Sequence, residues 1–229
     1  MAWPIQLPPS KAYERWADCY DVTSNPLLTL EERCIGPLLH DVKGQSLIDV
    51  GCGTGHHLQT LVAAGARAVG VDLTQAMLSH AAAKPGAMGR CAQADALRLP
   101  FEGGVADIVL GSLLVGYVSD VSTLFTELVR VARPGGYVLL SELHPEAVRS
   151  GWRRTFRVAG QLYEPQYTAH SIDSVQDAAK STGALELVAM SDHCFEEPER
   201  AVFENAGKTN FDKLQGTLAL WIGLWRVSV

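Results

Sequence analysis

Two acids and three glycines form the group of residues in this chain that is best suited to chemistry. Asp49 stands at the start of the string DVGCGTG, and Asp72 ends the string VGVD. The alternating glycines are Gly51, Gly53 and Gly55. Glycine lets the chain turn sharply and lets a ligand lie against bare backbone, and an acid about 20 residues further on can accept hydrogen bonds from two ribose hydroxyls. The spacing therefore predicts a nucleotide site.

A strand, a turn, a helix and a second strand must position these residues. The run 47–50 is apolar apart from its acid and leads into the glycines, and a second apolar run, 68–71, leads to Asp72. Between the two runs, apolar side chains recur at the spacing of one helix face. These are Leu58, Leu61 and Val62. The pattern predicts a βαβ unit with parallel strands and a right-handed crossover, whose helix points free N–H groups at the turn.

The spacing of the glycines distinguishes between kinds of nucleotide site. A dinucleotide fingerprint, G-x-G-x-x-G, would need a third glycine where the chain has His56 or Leu58, and no P-loop string is present. The strings DVGCGTG and VGVD instead resemble the first two motifs of class I S-adenosylmethionine-dependent methyltransferases of the small-molecule type. The stretch 128–141, LVRVARPGGYVLLS, resembles that family too, so the resemblance covers residues 45–142.

The resemblance implies an α/β fold. This is a Rossmann-like, doubly wound seven-stranded sheet, mostly parallel, with an antiparallel last strand and helices on both faces. We expect a single methyltransferase domain over residues 1–229. Within it, residues 1–45 would form an N-terminal helical cap, 46–142 the cofactor-binding core, and 143–229 a substrate lid and the last two strands.

The two ends of the chain are expected to be less regular than the core. Residues 1–10 carry three prolines and should form an irregular arm. The last two strands should lie at 185–190 and 218–227, and residues 195–216 should form the loop that joins them.

The resemblance also implies a cofactor, S-adenosylmethionine, and the residues that bind it. Tyr20 belongs to a segment, Y-x-x-x-A-x-x-YD, that family members place over the cofactor. Asp95 stands where the family has an acid that binds the adenine amino group, and Ser112 follows the fourth strand, whose carboxyl end should border the donor methyl. Met77 suits an adenine face and the protein core equally well. The full expected set is Tyr20, Asp49, Gly51, Gly53, Gly55, Asp72, Leu73, Met77, Asp95, Ala96, Ser112 and Leu113.

The segment 142–170 carries the candidates for chemistry at the methyl acceptor. His144 and His170 are the candidate bases, because an oxygen or nitrogen acceptor must lose a proton. Four arginines of this segment form either a solvated helix face or a pocket for a carboxylate or phosphate. They are Arg149, Arg153, Arg154 and Arg157. We therefore expect a small-molecule substrate, and an anionic one is an open alternative.

Composition and net charge limit the kinds of partner and site that we expect for this chain. The net charge of −6 argues against a nucleic-acid or anionic-membrane surface. The five cysteines never form C-x-x-C, and no two histidines stand four apart, so neither a disulfide framework nor a metal site is expected. The chain has no apolar stretch of about 18 residues and no signal-peptide pattern. We expect a soluble, cytoplasmic monomer or homodimer without membrane contact.

The function predicted by the resemblance is methyl transfer to a small-molecule acceptor, at oxygen or nitrogen, by in-line displacement. A nucleic-acid amino-methyltransferase would usually carry [DNS]-P-P-[YF] after the fourth strand, where this chain has the run GSLL at 111–114. The alternative from another class is a methyltransferase-like subunit that binds the nucleotide without turnover. The intact glycine turn and the acids Asp72 and Asp95 argue against such a degenerate site.

Overall fold

The computed structural model describes residues 3–206 and 210–229. The strands are β1 (Ile5–Leu7), β2 (Ser46–Val50), β3 (Arg67–Asp72), β4 (Cys91–Gln93), β5 (Ala106–Ser112), β6 (Ala132–Leu143), β7 (Phe156–Val158), β8 (Gln161–Pro165), β9 (Leu185–Cys194) and β10 (Leu218–Val227). The helices are α1 (Pro9–Tyr20), α2 (Pro26–Ile35), α3 (His56–Ala63), α4 (Gln75–Ala82), α5 (Val121–Val131), α6 (Pro145–Arg149), α7 (Ile172–Ser181), α8 (Glu197–Asn205) and α9 (Phe211–Leu214).

A seven-stranded sheet forms the centre of the fold. Its order is β4-β3-β2-β5-β6-β10-β9, and β10 runs antiparallel to both of its neighbours. The other pairings are parallel. The expected Rossmann-like fold is therefore confirmed. Strand order reverses between β2 and β5, and such a reversal opens a crevice at the carboxyl ends of the strands.

Apolar layers cover both faces of this sheet, because successive strand residues point to opposite sides. In β6, Leu139 lies in the layer that contains α2 and α3, and Leu140 lies in the layer that contains α5 and α7. Both leucine side chains are buried. The sheet is thus held rigidly between two helical layers, and the site at its carboxyl edge has a fixed base.

A second, three-stranded sheet lies outside this core. β1 pairs with β8 in parallel, and β7 pairs with β8 antiparallel. The expectation of an irregular arm at 1–10 was therefore wrong over Ile5–Leu7 and at residues 9 and 10, where α1 has begun. Residues 1 and 2 lie outside the described part. The partner strand is more than 150 residues away in the chain, so no local sequence pattern could predict the pairing. Helix α1 packs on this sheet, with the Trp16 and Phe156 rings stacked at 4.5 Å between centroids.

The segment after β9 is more ordered than expected. Strand β9 runs to Cys194 instead of ending at 190, and α8 and α9 occupy much of the expected loop 195–216. Phe203 and Phe211 are buried there, with ring centroids 5.3 Å apart, which explains why the segment folds back on the core. Across the described ranges, no helix combines the length and apolar character that a membrane span needs. The division of the chain at residues 45 and 142 stays a prediction.

Candidate functional site

A cavity of about 510 Å³ opens at the carboxyl ends of β2, β3 and β5, with residues of α1 on its far wall. It brings together most of the residues expected to bind a cofactor. The expected residues in its lining are Tyr20, Asp49, Gly51, Gly53, Asp72, Leu73, Met77, Asp95, Ala96, Ser112 and Leu113. Gly55 lies outside the lining. It precedes α3 with φ of +76°, and a Cβ there would come within 3.1 Å of the Ala81 Cβ, so it serves the packing of the turn.

The glycine turn forms the floor of the cavity. Gly51 and Gly53 have φ of +75° and +53°, in the left-handed region where a side chain is strained. The amides of Gly51 and Cys52 both donate to the Val71 carbonyl, at 2.8 and 2.9 Å. Leu113, opposite at the end of β5, also has a positive φ of +51°, and such strain is typical of functional sites.

Asp72 joins the two loops at this edge of the sheet. Its Oδ2 accepts from the amide of Gly53 at 2.9 Å, and its Oδ1 accepts from the amide of Thr74 at 2.8 Å. Burial raises the pKa of this carboxyl, and the two backbone donors oppose the rise. A carboxylate accepts about four hydrogen bonds in all. Asp72 can therefore accept two more from a ligand in the cavity.

Asp49 is an acid of the site whose hydrogen bonds are unsatisfied. Its side chain is 1% exposed, and neither carboxylate oxygen has a hydrogen-bond partner among the described residues. Burial raises its pKa to about 6, so the group is ionised at neutral pH. An unpaired buried charge is costly. A cationic or N–H donor group of a ligand would satisfy it.

A buried network below the cavity was missed in the sequence. Glu31 Oε1 accepts from the hydroxyls of Ser112 and Ser141, both at 2.8 Å, and Oε2 lies 3.0 Å from His57 Nε2. Burial acts to lower the pKa of His57, but the Glu31 carboxylate raises it to about 9. His57 is therefore an imidazolium at neutral pH. No sequence signal identified Glu31, because its partners are 26, 81 and 110 residues away.

The far wall of the cavity is aromatic. Tyr13 and Tyr20 from α1 and Tyr117 from the 3₁₀ turn Val115–Tyr117 line it together with Arg154. The Tyr13 and Tyr117 rings meet edge to face at 5.3 Å between centroids. This wall, which we call the tyrosine wall, is defined by these four residues. Gly116 lies beside it, and a Cβ at Gly116 would come within 2.0 Å of the Tyr167 ring.

The four arginines of the segment 142–170 do not act as a group. Arg149, Arg153 and Arg157 are exposed. Arg153 lies 3.5 Å from Glu164, and Arg157 donates to the Gly160 carbonyl. Arg154 alone is buried and reaches the cavity. The solvated alternative therefore holds for three of the four arginines, and the anion pocket stays a prediction that only Arg154 is placed to meet.

His144 and His170 lie outside the cavity lining. His144 Nδ1 accepts from the amide of Glu146 at 3.0 Å at the start of α6, and its Nε2 lies 3.6 Å from Asp192. His170 Nε2 lies 3.2 Å from the Val118 carbonyl. The geometry gives both histidines contacts with protein groups, so their role as bases stays a prediction.

Three polar side chains at the end of α1, those of Asp21, Thr54 and Lys84, contact one another beside the cavity, and we call them the polar clasp. The Thr54 hydroxyl donates to Asp21 at 2.6 Å, and Lys84 lies 2.7 Å from Asp21 and 3.0 Å from the Thr54 hydroxyl. Thr54 belongs to the glycine turn, and Asp21 directly follows α1. The clasp therefore ties the N-terminal helix to the floor of the cavity.

Comparisons with known proteins agree with this geometry. Residues 48–140 match a family model described as a methyltransferase domain. Malonyl-[acyl-carrier protein] O-methyltransferase of Serratia marcescens is 33% identical over 134 residues, which are 58% of this chain and 52% of that protein. The chain spans about half the length of the curated relatives it matches.

Solved structures share the fold across most of the chain. An S-adenosylmethionine-dependent methyltransferase from Mesorhizobium loti has a TM-score of 0.67 at 22% identity, covering 86% of this chain and 97% of that one. A putative methyltransferase of Haloferax volcanii, solved in complex with the Trm112 methyltransferase activator, has a TM-score of 0.70 at 15% identity, covering 96% and 98%. Residues 48–140 therefore match a methyltransferase domain, and the chain has the fold of solved S-adenosylmethionine-dependent methyltransferases.

Proposed function

We propose that the protein transfers the methyl group of S-adenosylmethionine to a small-molecule acceptor. The observation that carries this proposal is the orphaned carboxylate of Asp49 at the glycine turn, next to the half-satisfied Asp72. The name of the Serratia relative, an O-methyltransferase, favours oxygen as the acceptor atom. A monomeric or dimeric state and a cytoplasmic location stay predictions.

The residues of the cavity suit this cofactor. Asp72 would accept from the two ribose hydroxyls, and Asp49 would pair with the ammonium of the methionine part. The Oδ1 atom of Asp95 accepts a hydrogen bond from the amide of Leu97 at 2.9 Å. Its Oδ2 atom would accept one from the adenine amino group. Met77, which is 1% exposed, would border the adenine ring. The bound cofactor supplies an activated methyl on a sulfonium.

The chain itself contributes position and protection from water. The clasp and the tyrosine wall would keep the acceptor in line with the cofactor, and such alignment supplies much of the rate of a displacement reaction. Both histidines in the lining lie within hydrogen-bond distance of acids. His57 is held as an imidazolium by Glu31, and His56 pairs with Glu32 at 2.7 Å on the surface. The proposal therefore assigns proton removal to no residue of the lining, and an acceptor that is already deprotonated fits best.

Calorimetry tests the proposed function directly. We expect S-adenosylmethionine and its demethylated product to bind with micromolar affinity and NAD not to bind, since the third glycine of a dinucleotide turn is absent. Mass spectrometry of protein incubated with the cofactor and candidate acceptors would then show a product 14 Da heavier. Binding of NAD without binding of S-adenosylmethionine would contradict the proposal. Cofactor binding without any methylated product would favour the non-catalytic subunit.

Replacing Asp72 by alanine is expected to weaken cofactor binding by about 1.5–3 kcal/mol, because hydroxyls of the ribose would lose a charged acceptor. Calorimetry should show this as a 10- to 100-fold rise in Kd. The unliganded protein should also melt at a lower temperature, since the amides of Gly53 and Thr74 lose their partner. Asp177→Ala, an exposed acid on α7, is the control and should change neither quantity. A Kd within twofold of wild type for Asp72→Ala would remove Asp72 from the cofactor site.

A further inference from the structure

Arg154 is a buried cation whose hydrogen-bonding capacity the described residues leave largely unused. Its side chain is 7% exposed, and its Nε and Nη1 have no hydrogen-bond partner in the described part of the chain. Its Nη2 makes one long contact, 3.5 Å to the Tyr20 hydroxyl. A guanidinium carries five N–H donors and does not lose its proton in proteins. Burial of such a group without a partner is costly.

Aromatic rings hold the guanidinium in place. Its Cζ lies 5.8 Å from the centroid of the Trp16 ring and 5.6 Å from that of Tyr117. Rings at these distances attract a cation, but they leave the N–H groups at the edge of the guanidinium without acceptors. The rings of Trp16 and Tyr117 therefore fix the position of Arg154 and keep its donors available.

One buried acid that interacts electrostatically with Arg154 already accepts hydrogen bonds from other groups. Glu142 is 3% exposed. Burial raises the pKa of its carboxyl, and the positive charge of Arg154 acts to lower it. Its Oε2 accepts from the amide of Gly116 at 2.8 Å, and its Oε1 accepts from the amide of Leu143 at 2.7 Å. Glu142 moderates the local charge but leaves the donors of Arg154 without a hydrogen-bonded acceptor.

The charged side chains around the cavity favour binding of an anion next to Arg154. Arg154 is the only lysine or arginine among the described residues that line it, and the other cation of the lining, His57, is already paired with Glu31. The acids of the lining are Asp21, Glu32, Asp49, Asp72 and Asp95. A negatively charged group in the cavity is therefore repelled from the acidic floor and attracted to the tyrosine wall.

We propose that Arg154 binds a carboxylate of the methyl acceptor, with Tyr13 and Tyr117 packed against its carbon skeleton. This inference rests on the proposed methyltransferase function. Each of the two forked edges of the guanidinium, Nε with Nη2 and Nη1 with Nη2, contains a nitrogen without a partner. A planar carboxylate matches such an edge with two parallel hydrogen bonds. A single arginine also suits one carboxylate better than a more highly charged phosphate.

The rival ligand for Arg154 is the carboxylate of the cofactor itself, because Arg154 and Asp49 line the same cavity. The product S-adenosylhomocysteine carries that same carboxylate. Its affinity therefore separates the two assignments without any need for turnover.

The experiment is calorimetry on protein saturated with S-adenosylhomocysteine. The probes are butyrate, benzoate, phenylacetate and cinnamate, each compared with its primary amide. The variants are Arg154→Met, Arg154→Lys and, as the matched control, Arg153→Met, which removes an exposed arginine one position earlier. Affinity for S-adenosylhomocysteine and the melting temperature are measured for every variant.

We expect at least one acid to bind to wild type at least tenfold more tightly than its amide. Arg154→Met should bind this acid at least tenfold more weakly than wild type. Arg154→Lys should bind it with intermediate affinity, because an ammonium lacks the forked pair of donors. Arg153→Met should bind it as tightly as wild type. Affinity for S-adenosylhomocysteine should stay within twofold in all variants. Arg154→Met should melt no lower than wild type, since an apolar chain replaces an unpaired cation.

Three results would overturn the inference. They are failure of every acid to bind, amides that bind as tightly as their acids, and a tenfold loss of S-adenosylhomocysteine affinity in Arg154→Met. The last would assign Arg154 to the cofactor carboxylate. Failure of wild type to bind S-adenosylhomocysteine would instead contradict the proposed function.

Discussion

Glu31→Ala is expected to destabilise the protein by about 3–5 kcal/mol, the usual cost of removing one partner of a buried ion pair. The substitution leaves the His57 imidazolium without its carboxylate and the hydroxyls of Ser112 and Ser141 without their acceptor. Urea unfolding at pH 7 measures the loss. The matched control is Glu32→Ala, one position later, whose partner His56 is 54% exposed. That pair should contribute less than about 1 kcal/mol, and equal losses in the two variants would contradict the buried network.

The pH dependence of stability gives an independent readout of the same pair. The pKa of His57 is raised in the folded protein from 6.5 to about 9. Its stabilising contribution is therefore fully present below pH 6.5 and is lost as the pH rises through 9. Wild type should become less stable across this window, and Glu31→Ala should lose that slope. A slope that survives the substitution would show that His57 is not the titrating group.

Asp49→Asn is expected to stabilise the unliganded protein at neutral pH. The pKa of Asp49 is raised from 3.8 to about 6 by burial, so the folded state favours the protonated form. Its contribution is present below pH 3.8 and is lost as the pH rises through 6. The difference corresponds to a penalty of at most about 3 kcal/mol above pH 6, which asparagine removes. Urea unfolding should show the gain at pH 7.5 and a smaller gain at pH 5.

The same substitution should weaken cofactor binding at least tenfold, because the ammonium of the methionine part would lose its counter-charge. In wild type, the affinity should fall as the pH drops below about 6, where Asp49 becomes protonated, and this fall should be absent from Asp49→Asn. Calorimetry between pH 5 and 8 measures both effects. Asp177→Asn serves as the exposed control. A variant that is less stable than wild type yet binds the cofactor normally would make Asp49 a structural residue.

Local pattern was enough to predict the parts of the site that lie along one βαβ unit. The strand, the glycine turn and the second strand bring Asp49, Gly51 and Asp72 together within 24 residues of sequence, and their spacing fixes their relation in space. The same holds for β10, whose predicted bounds, 218–227, agree with the structure. The parallel and antiparallel strand pairings followed from family resemblance and were confirmed.

The other half of the cavity depends on contacts between distant segments. The pairing of β1 with β8 brings the N-terminal segment to residues 161–165, and α1 then faces Arg154. In the sequence, Arg154 was one of four equivalent arginines, and burial alone distinguishes it from Arg153. Periodicity does not encode which residue of a loop turns inward, because packing against remote elements decides it.

By itself, then, the sequence predicted the acidic floor of the cavity, because its residues are neighbours along one strand-turn-helix-strand unit. The fold class was predicted from the resemblance to a known family, which extends over residues 45–142. Only the tertiary structure decided that Glu31 pairs with the His57 imidazolium, that Gly55 serves packing and that Arg154 faces the cavity. Gly55 is a matter of steric contact with Ala81, and the other two concern charged side chains that the fold removes from water. Burial determines the state of such groups, and burial is a property of the whole fold.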